Sequence, residues 1–231
     1  MVLKEGGGRM KDLSRHETII SPILWEKLGD IHIIGCGATA SNLLYCLSKL
    51  GISNKIFIYD FDRVEEHNLP NQYFTSEDVG EYKAVALKRA ILKVNPSIDI
   101  VEKVEKVETL ENKNGTIFCL VDTMKSRKEI FKTIHKNIKH YIDTRLGDYD
   151  FHYYIFRGNN EYQQMKYKET LCSDDVASVS LCGTKITLLP TIMVGVNSLI
   201  LELNKITRNE TYSNVIQLYA NTLQVLKRSW M

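Results

Sequence analysis

The chain has 231 residues, 44% of them hydrophobic and 25% charged, a balance that excludes disordered and collagen-like classes. Its 30 basic and 28 acidic side chains are interspersed, for a formal net charge of +2, so neither nucleic acid nor a membrane is an expected partner. Five cysteines without a C-x-x-C pair argue against a disulfide framework and against zinc; with no apolar stretch near Met1, a reducing, cytoplasmic setting is expected.

Residues 1 to 14, with Gly6, Gly7 and Gly8 in a row, read as a flexible segment ahead of a single domain over 15 to 231. IHII from Ile31 is a buried strand, followed by a glycine turn and a helix on Ala40, Leu43, Leu44, Leu47 and Leu50 that stops at Gly51. KIFIYD is a second strand ending in Asp60. The segment from Ser76 to Pro96 predicts a helix with Ala84, Leu87, Ile91 and Val94 on one face. IDIVEKVE is a third strand and Thr116 to Asp122 a fourth, again ending in an acid. Ile130, Ile134 and Ile138 then predict an amphipathic helix, its lysines from Lys125 to Lys139 facing water. HYIDTR and FHYYIFRG are two strands close in sequence, an antiparallel end to the sheet.

Residues 159 to 184 read as a long polar loop. The apolar run from Ile186 to Asn204 approaches the length of a membrane span, but Pro190, Asn197 and Glu202 make a core or interface helix the better reading. Val215, Leu218, Leu223 and Leu226 predict a last amphipathic helix, and Trp25 and Trp230 are expected to anchor terminal helices. The expectation is an α/β, Rossmann-like fold: a mainly parallel sheet flanked by helices, with an antiparallel C-terminal part.

Gly35, Cys36 and Gly37 close the first strand and open a helix, the setting in which backbone N–H groups and the helix dipole hold phosphate. Ala40 takes the third place of G-x-G-x-x-G, where a methyl still lets helix and strand pack, and Asp60 stands where a ribose-binding acid is expected. These residues alone leave open a NAD-dependent oxidoreductase, and a purely structural turn. His32, His135 and His152 read as structural and His67 as a loop residue beside the nucleotide; Cys36, Cys46 and Cys119 read as packing residues.

YDFDRVEEHNLPNQ (Tyr59 to Gln72) resembles the D-x-D followed by N-L-x-R-Q of the ThiF/MoeB/HesA and ubiquitin-activating-enzyme superfamily. VGEYKA (Val79 to Ala84), Asn95-Pro96 and CLVDT (Cys119 to Thr123) continue that pattern in order, from about Arg15 to Lys205. The resemblance implies an ATP-dependent adenylyltransferase that activates the C-terminal carboxylate of a ubiquitin-like or sulfur-carrier protein, or of a peptide. Carried over, Gly35, Gly37 and Ala38 line the phosphate turn, Asp60 holds the ribose, Asn68 and Lys83 meet the phosphates and Asp122 holds Mg2+. Asp62 is expected to organise the Asn68 loop.

Asn71 stands at the family's arginine and lines the same site without its charge, and Thr123 replaces an asparagine after the magnesium acid. Those two departures leave open a degenerate ATP-binding scaffold or partner subunit. Arg15 resembles the arginine that reaches across a homodimer to the partner's ATP, a solvated helix arginine being the alternative. Cys182 is the candidate thioester nucleophile, in a loop that also holds Cys172, Asp174 and Asp175; a structural thiol is the alternative. The missing zinc pairs, DTRLG (Asp143 to Gly147) and SLCGTK (Ser180 to Lys185) resemble compact, zinc-free bacterial and phage members.

Overall fold

A computed structural model describes residues 13, 19–20, 22–173 and 188–230. Arg15, Asp174, Asp175 and Cys182 lie outside the described residues. In chain order the elements are α1 (Pro22–Trp25), β1 (Ile31–Ile34), α2 (Ala38–Lys49), β2 (Ile56–Tyr59), α3 (Lys83–Val94), β3 (Ile100–Lys103) and β4 (Gly115–Cys119). There follow α4 (Met124–Phe131), β5 (Ile138–Leu146), β6 (Asp150–Phe156), α5 (Glu161–Lys168), α6 (Leu189–Thr207), β7 (Val215–Tyr219) and β8 (Gln224–Arg228).

The strands form one sheet in the order β3-β2-β1-β4-β5-β6-β7-β8. The first five run parallel and the last three alternate antiparallel. All four residues of β1 and all five of β4 are buried, as expected of central parallel strands covered on both faces. The period of two sorts their side chains between two cores. Ile31, Ile33, Phe118, Phe151 and Tyr153 face one side with α2, α3 and α6, whereas Ile34, Ile117, Cys119, Tyr154 and Phe156 face α4 and α5 on the other. Strand order reverses between β1 and β4, the switch point outside which α/β sheets bind ligands.

Four expectations are corrected. The helix expected to reach Ile138 ends at Phe131, because the Thr133 hydroxyl donates to Ile130 O (2.8 Å) and accepts from Leu110 N–H (2.9 Å). Ile138 instead begins β5, its spacing from Ile130 having matched a helix by coincidence. Within the expected loop, Asn160 caps α5 by accepting from Gln163 N–H, and Tyr167 is buried in the second core. Val215, Leu218 and Leu226 belong to a hairpin, with Leu223 at φ +54° in its turn; the open edge of β6 recruits β7, and tertiary pairing overrides the helical spacing. Trp230 accordingly follows a strand, donating its backbone N–H to Asn214 Oδ1 at 2.7 Å.

Among the described residues no helix is long and apolar enough to cross a membrane. The apolar face of α6, through Ile192, Val196, Leu199 and Leu203, is used up in the chain's own core, leaving Leu189 and Leu201 exposed. Gly195 is required there, since a Cβ would lie 2.0 Å from the Phe151 ring.

Candidate functional site

β1 ends where Gly35 donates its N–H to Tyr59 O (2.9 Å) and turns at φ +95°. A Cβ at Gly35 would lie 2.7 Å from Leu120 O, so only glycine lets the turn pass this close to the chain leaving β4. At Gly37, which precedes α2, a Cβ would meet nothing within 4 Å: the space above it is open. The first turn of α2 therefore presents its N–H groups and dipole to an empty approach, the usual seat for an anion.

Asp60 stitches this turn to the next loop. Its Oδ2 accepts from Cys36 N–H at 2.6 Å and its Oδ1 from Asp62 N–H at 2.8 Å. Burial pushes the carboxyl up, opposed by those two N–H groups and by Lys83. Each oxygen retains a lone pair, enough for a sugar hydroxyl. The Cys36 thiol is buried and its pKa is raised, first by burial and then by Asp60, so the residue contributes its backbone and not a nucleophile. Cys119, with its pKa pushed up to about 12 mainly by burial, is likewise a packing residue.

Lys83 is the first residue of α3; its N–H donates to Asp62 O (2.8 Å) and its ammonium lies 3.3 Å from Asp62 Oδ2. The Lys83 side chain is 14% exposed and that of Asp62 53%, so the lysine is sheltered and its partner faces water. The charge of Lys83 acts on both Asp60 and Cys36, which puts it beside the glycine turn.

The loop between them is tied down on two sides. Asn68 sits in a short 3-10 turn, Glu66–Asn68, with its Oδ1 accepting from Glu65 N–H (2.9 Å). The Asn42 amide donates to both Ala38 O (2.8 Å) and Asn71 O (3.0 Å), and Tyr73 N–H donates to Ser41 Oγ (3.1 Å). The opening of α2 thus grips the Asn71–Tyr73 stretch that follows the Asn68 turn. Asp62, expected to organise the Asn68 loop, is the partner of Lys83; Glu65 closes the Asn68 turn. His67 is exposed, 3.3 Å from Glu65. His32, read as structural, accordingly lies between Tyr59 OH and Asn114 O.

Asp122 follows β4, whose continuation is pinned by Leu120 N–H donating to Ile34 O (2.8 Å). Thr123 caps α4 by accepting from Ser126 N–H, so Asp122 stands exposed just before a helix start. Among the described residues no hydrogen bond or ion pair engages its carboxylate. A hard cation such as Mg2+ suits one free carboxylate plus phosphate oxygens, and Asp122 fits that donor set. Among the described residues no three His, Cys, Asp or Glu side chains cluster as a metal site of their own.

A buried ionic cluster behind Asp122 escaped the sequence reading. Asp143, 0% exposed, accepts from Arg127 Nε (2.8 Å), Arg145 Nε (2.9 Å) and Tyr167 OH (3.1 Å). Arg127 also donates to Thr144 O (2.6 Å), and Arg145 donates to both oxygens of Thr170 at 2.8 Å. Burial works against both guanidinium charges, and Asp143 together with the neighbouring Tyr167 and other groups raises both pKa values nonetheless. The cluster anchors α4, and with it the segment bearing Asp122, to β5. DTRLG carried a signal for Asp143 and Arg145; Arg127 looked like one more cation on a solvated helix.

A glycine turn, a carboxylate after β2, a sheltered lysine and a free acid after β4 gather in an α/β protein around one switch point of its sheet. The chain belongs to the ThiF family, whose profile matches residues 25–229. It is 26% identical over 113 residues to ubiquitin-like modifier-activating enzyme 5 of Drosophila persimilis, covering 48% of this chain and 29% of that protein. The Drosophila mojavensis protein of the same name is 30% identical over 90 residues, 38% of this chain and 22% of its own. The matched part of the chain therefore spans less than a third of these relatives' length. In fold it resembles E. coli MccB (TM-score 0.72, 17% identity, covering 97% of this chain and 71% of that one) and PaaA (0.71, 15%, 94% and 80%). MccB solved with ATP gives a TM-score of 0.68 at 19% identity, covering 90% of this chain and 68% of that one.

Proposed function

We propose that the chain is an ATP-dependent adenylyltransferase that activates a C-terminal carboxylate of a ubiquitin-like or sulfur-carrier protein or a peptide. The observation that carries this reading is the convergence of Gly35–Ala38, Asp60, Lys83 and the unengaged Asp122 on one end of β1, β2 and β4. Membership of the ThiF family, and likeness to MccB in structures containing ATP or MccA, support the same reading.

In the proposed reaction a carboxylate oxygen attacks the α-phosphorus, the bond from that phosphorus to the bridging oxygen breaks, and pyrophosphate leaves with the electron pair. Gly35 makes the turn that lines the phosphates, Gly37 and Ala38 offer them N–H groups, Asp60 takes the ribose hydroxyls, and Lys83 with Asn68 meets the phosphate oxygens. Asp62 holds the Lys83 ammonium until triphosphate competes for it. Asp122 would hold Mg2+, which supplies positive charge against the departing pyrophosphate. Asn71 borders the phosphates without the charge of an arginine, so Lys83 carries more of the neutralisation. Arg15, reaching across a homodimer, and Cys182, receiving the acyl group as a thioester, complete the proposal from outside the described residues.

Isotopic exchange between pyrophosphate and ATP, driven by candidate carrier proteins and peptides, tests it. Exchange by the wild-type chain that is lost in Asp122→Asn supports turnover. ATP binding without exchange across a panel of carboxylate substrates favours a scaffold. An oxidoreductase would prefer NAD, and would leave the Lys83–Asp62 pair and Asp122 without a task.

A further inference from the structure

β5 starts at Ile138 and runs parallel to β4, so its first residues lie a strand's length from the Gly35 turn, at the opposite end of the sheet. There a cleft of about 360 Å³ is bordered by Lys27, Lys136, Lys139, Arg157, His140 and Tyr212. Among the described residues its only acid is Glu210, which is paired with Arg208 at 2.6 Å. Among the described residues no carboxylate pairs with any of the four cations.

Two of those cations are held in place. The Lys139 ammonium donates to Lys27 O at 3.1 Å and packs against Gly29, where a Cβ would come within 3.3 Å of it. Arg157 lies close enough to Tyr212 for its charge to act on the phenol, and its successor Gly158 is pressed so closely on Ile138 that a Cβ would lie 2.4 Å from the Ile138 carbonyl oxygen. The ring of Tyr212 meets that of His140 edge-on, with centroids 6.2 Å apart. Converging like charges raise the energy of the folded chain, and the partial negative charge at the carboxyl end of α6, which also borders the cleft, offsets them only in part, so an outside anion relieves the rest.

We propose that this cleft is a binding site for a small phosphoanion, an inorganic phosphate or pyrophosphate group, separate from the nucleotide site. The cleft is half-open, and its volume falls at the lower end of the range of small-molecule sites. Arg157 supplies a planar fork for two oxygens, and Lys139, Lys136 and Lys27 surround the remainder. His140 reports on occupancy. Burial, Arg157 and Lys139 hold its imidazole near a pKa of about 4 in the free chain, and an anion among these cations moves that value up.

The test titrates the full chain with sodium phosphate and with sodium pyrophosphate, against sodium chloride at matched ionic strength. The His140 ring signals are followed by heteronuclear NMR and heat by calorimetry. The expected result is saturable binding, a rise in the His140 pKa that chloride does not reproduce, and roughly tenfold weaker binding in Arg157→Gln and in Lys139→Gln. A preference for phosphate over pyrophosphate, or the reverse, identifies which source the cleft serves. His140 signals that move identically with chloride overturn the proposal. So does binding by calorimetry that leaves His140 and both variants unaffected, which would place the anion at the Gly35 turn. If the two variants change only the urea midpoint, the cations merely face the carboxyl end of α6 and the proposal fails.

Discussion

Gly35 and Gly37 stand two residues apart and respond to a methyl for opposite reasons, so the pair Gly35→Ala and Gly37→Ala separates folding from ligand approach. At Gly35 the backbone lies at φ +95° and a Cβ would sit 2.7 Å from Leu120 O and 3.0 Å from Leu120 C. The left-handed conformation costs about 1–2 kcal/mol for an L side chain, and displacing a neighbouring backbone adds about 1–3 kcal/mol. Urea denaturation of Gly35→Ala is therefore expected to show a loss of about 2–5 kcal/mol. At Gly37 the backbone is at φ −81° and nothing lies within 4 Å, so the methyl costs less than about 1 kcal/mol, the difference between glycine and alanine at a helix cap. The same methyl fills the space through which phosphates would reach the α2 N–H groups, and ATP affinity is expected to fall by about tenfold or more. Calorimetric titration with ATP and magnesium reads the second effect. If Gly37→Ala folds and still binds ATP like the wild type, the phosphates do not pass this turn and the assignment of the glycines is wrong.

Asp122→Asn removes an exposed, unengaged carboxylate, so its urea midpoint should stay within about 0.5 kcal/mol of wild type while pyrophosphate exchange drops by about 10²–10³-fold. Arg127→Ala leaves Asp143 fully buried with one guanidinium fewer, at a cost of about 3–5 kcal/mol; an unchanged urea midpoint would contradict the described cluster. Gly195→Ala forces a methyl onto the Phe151 ring and should destabilise by about 1–3 kcal/mol, with Phe151→Leu in the same chain recovering part of the loss. His32 is held neutral chiefly by burial, its pKa lowered to about 4, below the value of about 6.5 for an unfolded histidine. The unfolded chain takes up the proton first, so stability is full above pH 6.5 and falls as pH drops from about 6.5 to about 4, by up to about 3 kcal/mol for this residue. Urea midpoints at pH 7 and pH 4.5 should show the loss, and His32→Leu should show a shallower one.

The parallel half of the sheet was legible because β1, β2 and β4 are short apolar runs leading into a glycine or an acid, and α2 and α3 each have a single apolar face. The C-terminal half was harder. Val215, Leu218, Leu223 and Leu226 fit a helix as well as a strand when read locally, and only the unpaired edge of β6 decides between them. Ile138 continued a helical spacing that the Thr133 hydroxyl interrupts, and a single threonine carries no signal of where its hydrogen bonds go. In the site, the glycines, Asp60, Lys83 and Asp122 were readable by type and order. The pairing of Asp62 with Lys83 was not, because it depends on the loop folding back so that Val64 N–H meets Glu81 O and Arg63 stacks on Tyr82. Arg127 was unreadable for a related reason: helical position gave it a surface, and the neighbouring strand supplied the buried Asp143.

A crystal structure of the full chain with ATP, or a non-hydrolysable analogue, and magnesium is the most direct measurement. The phosphates should lie over Gly35–Ala38 within reach of Lys83 Nζ, the ribose hydroxyls on Asp60, and the metal between Asp122 and phosphate oxygens. A nucleotide seated away from the junction of β1 and β4, or a metal that ignores Asp122, would contradict the account.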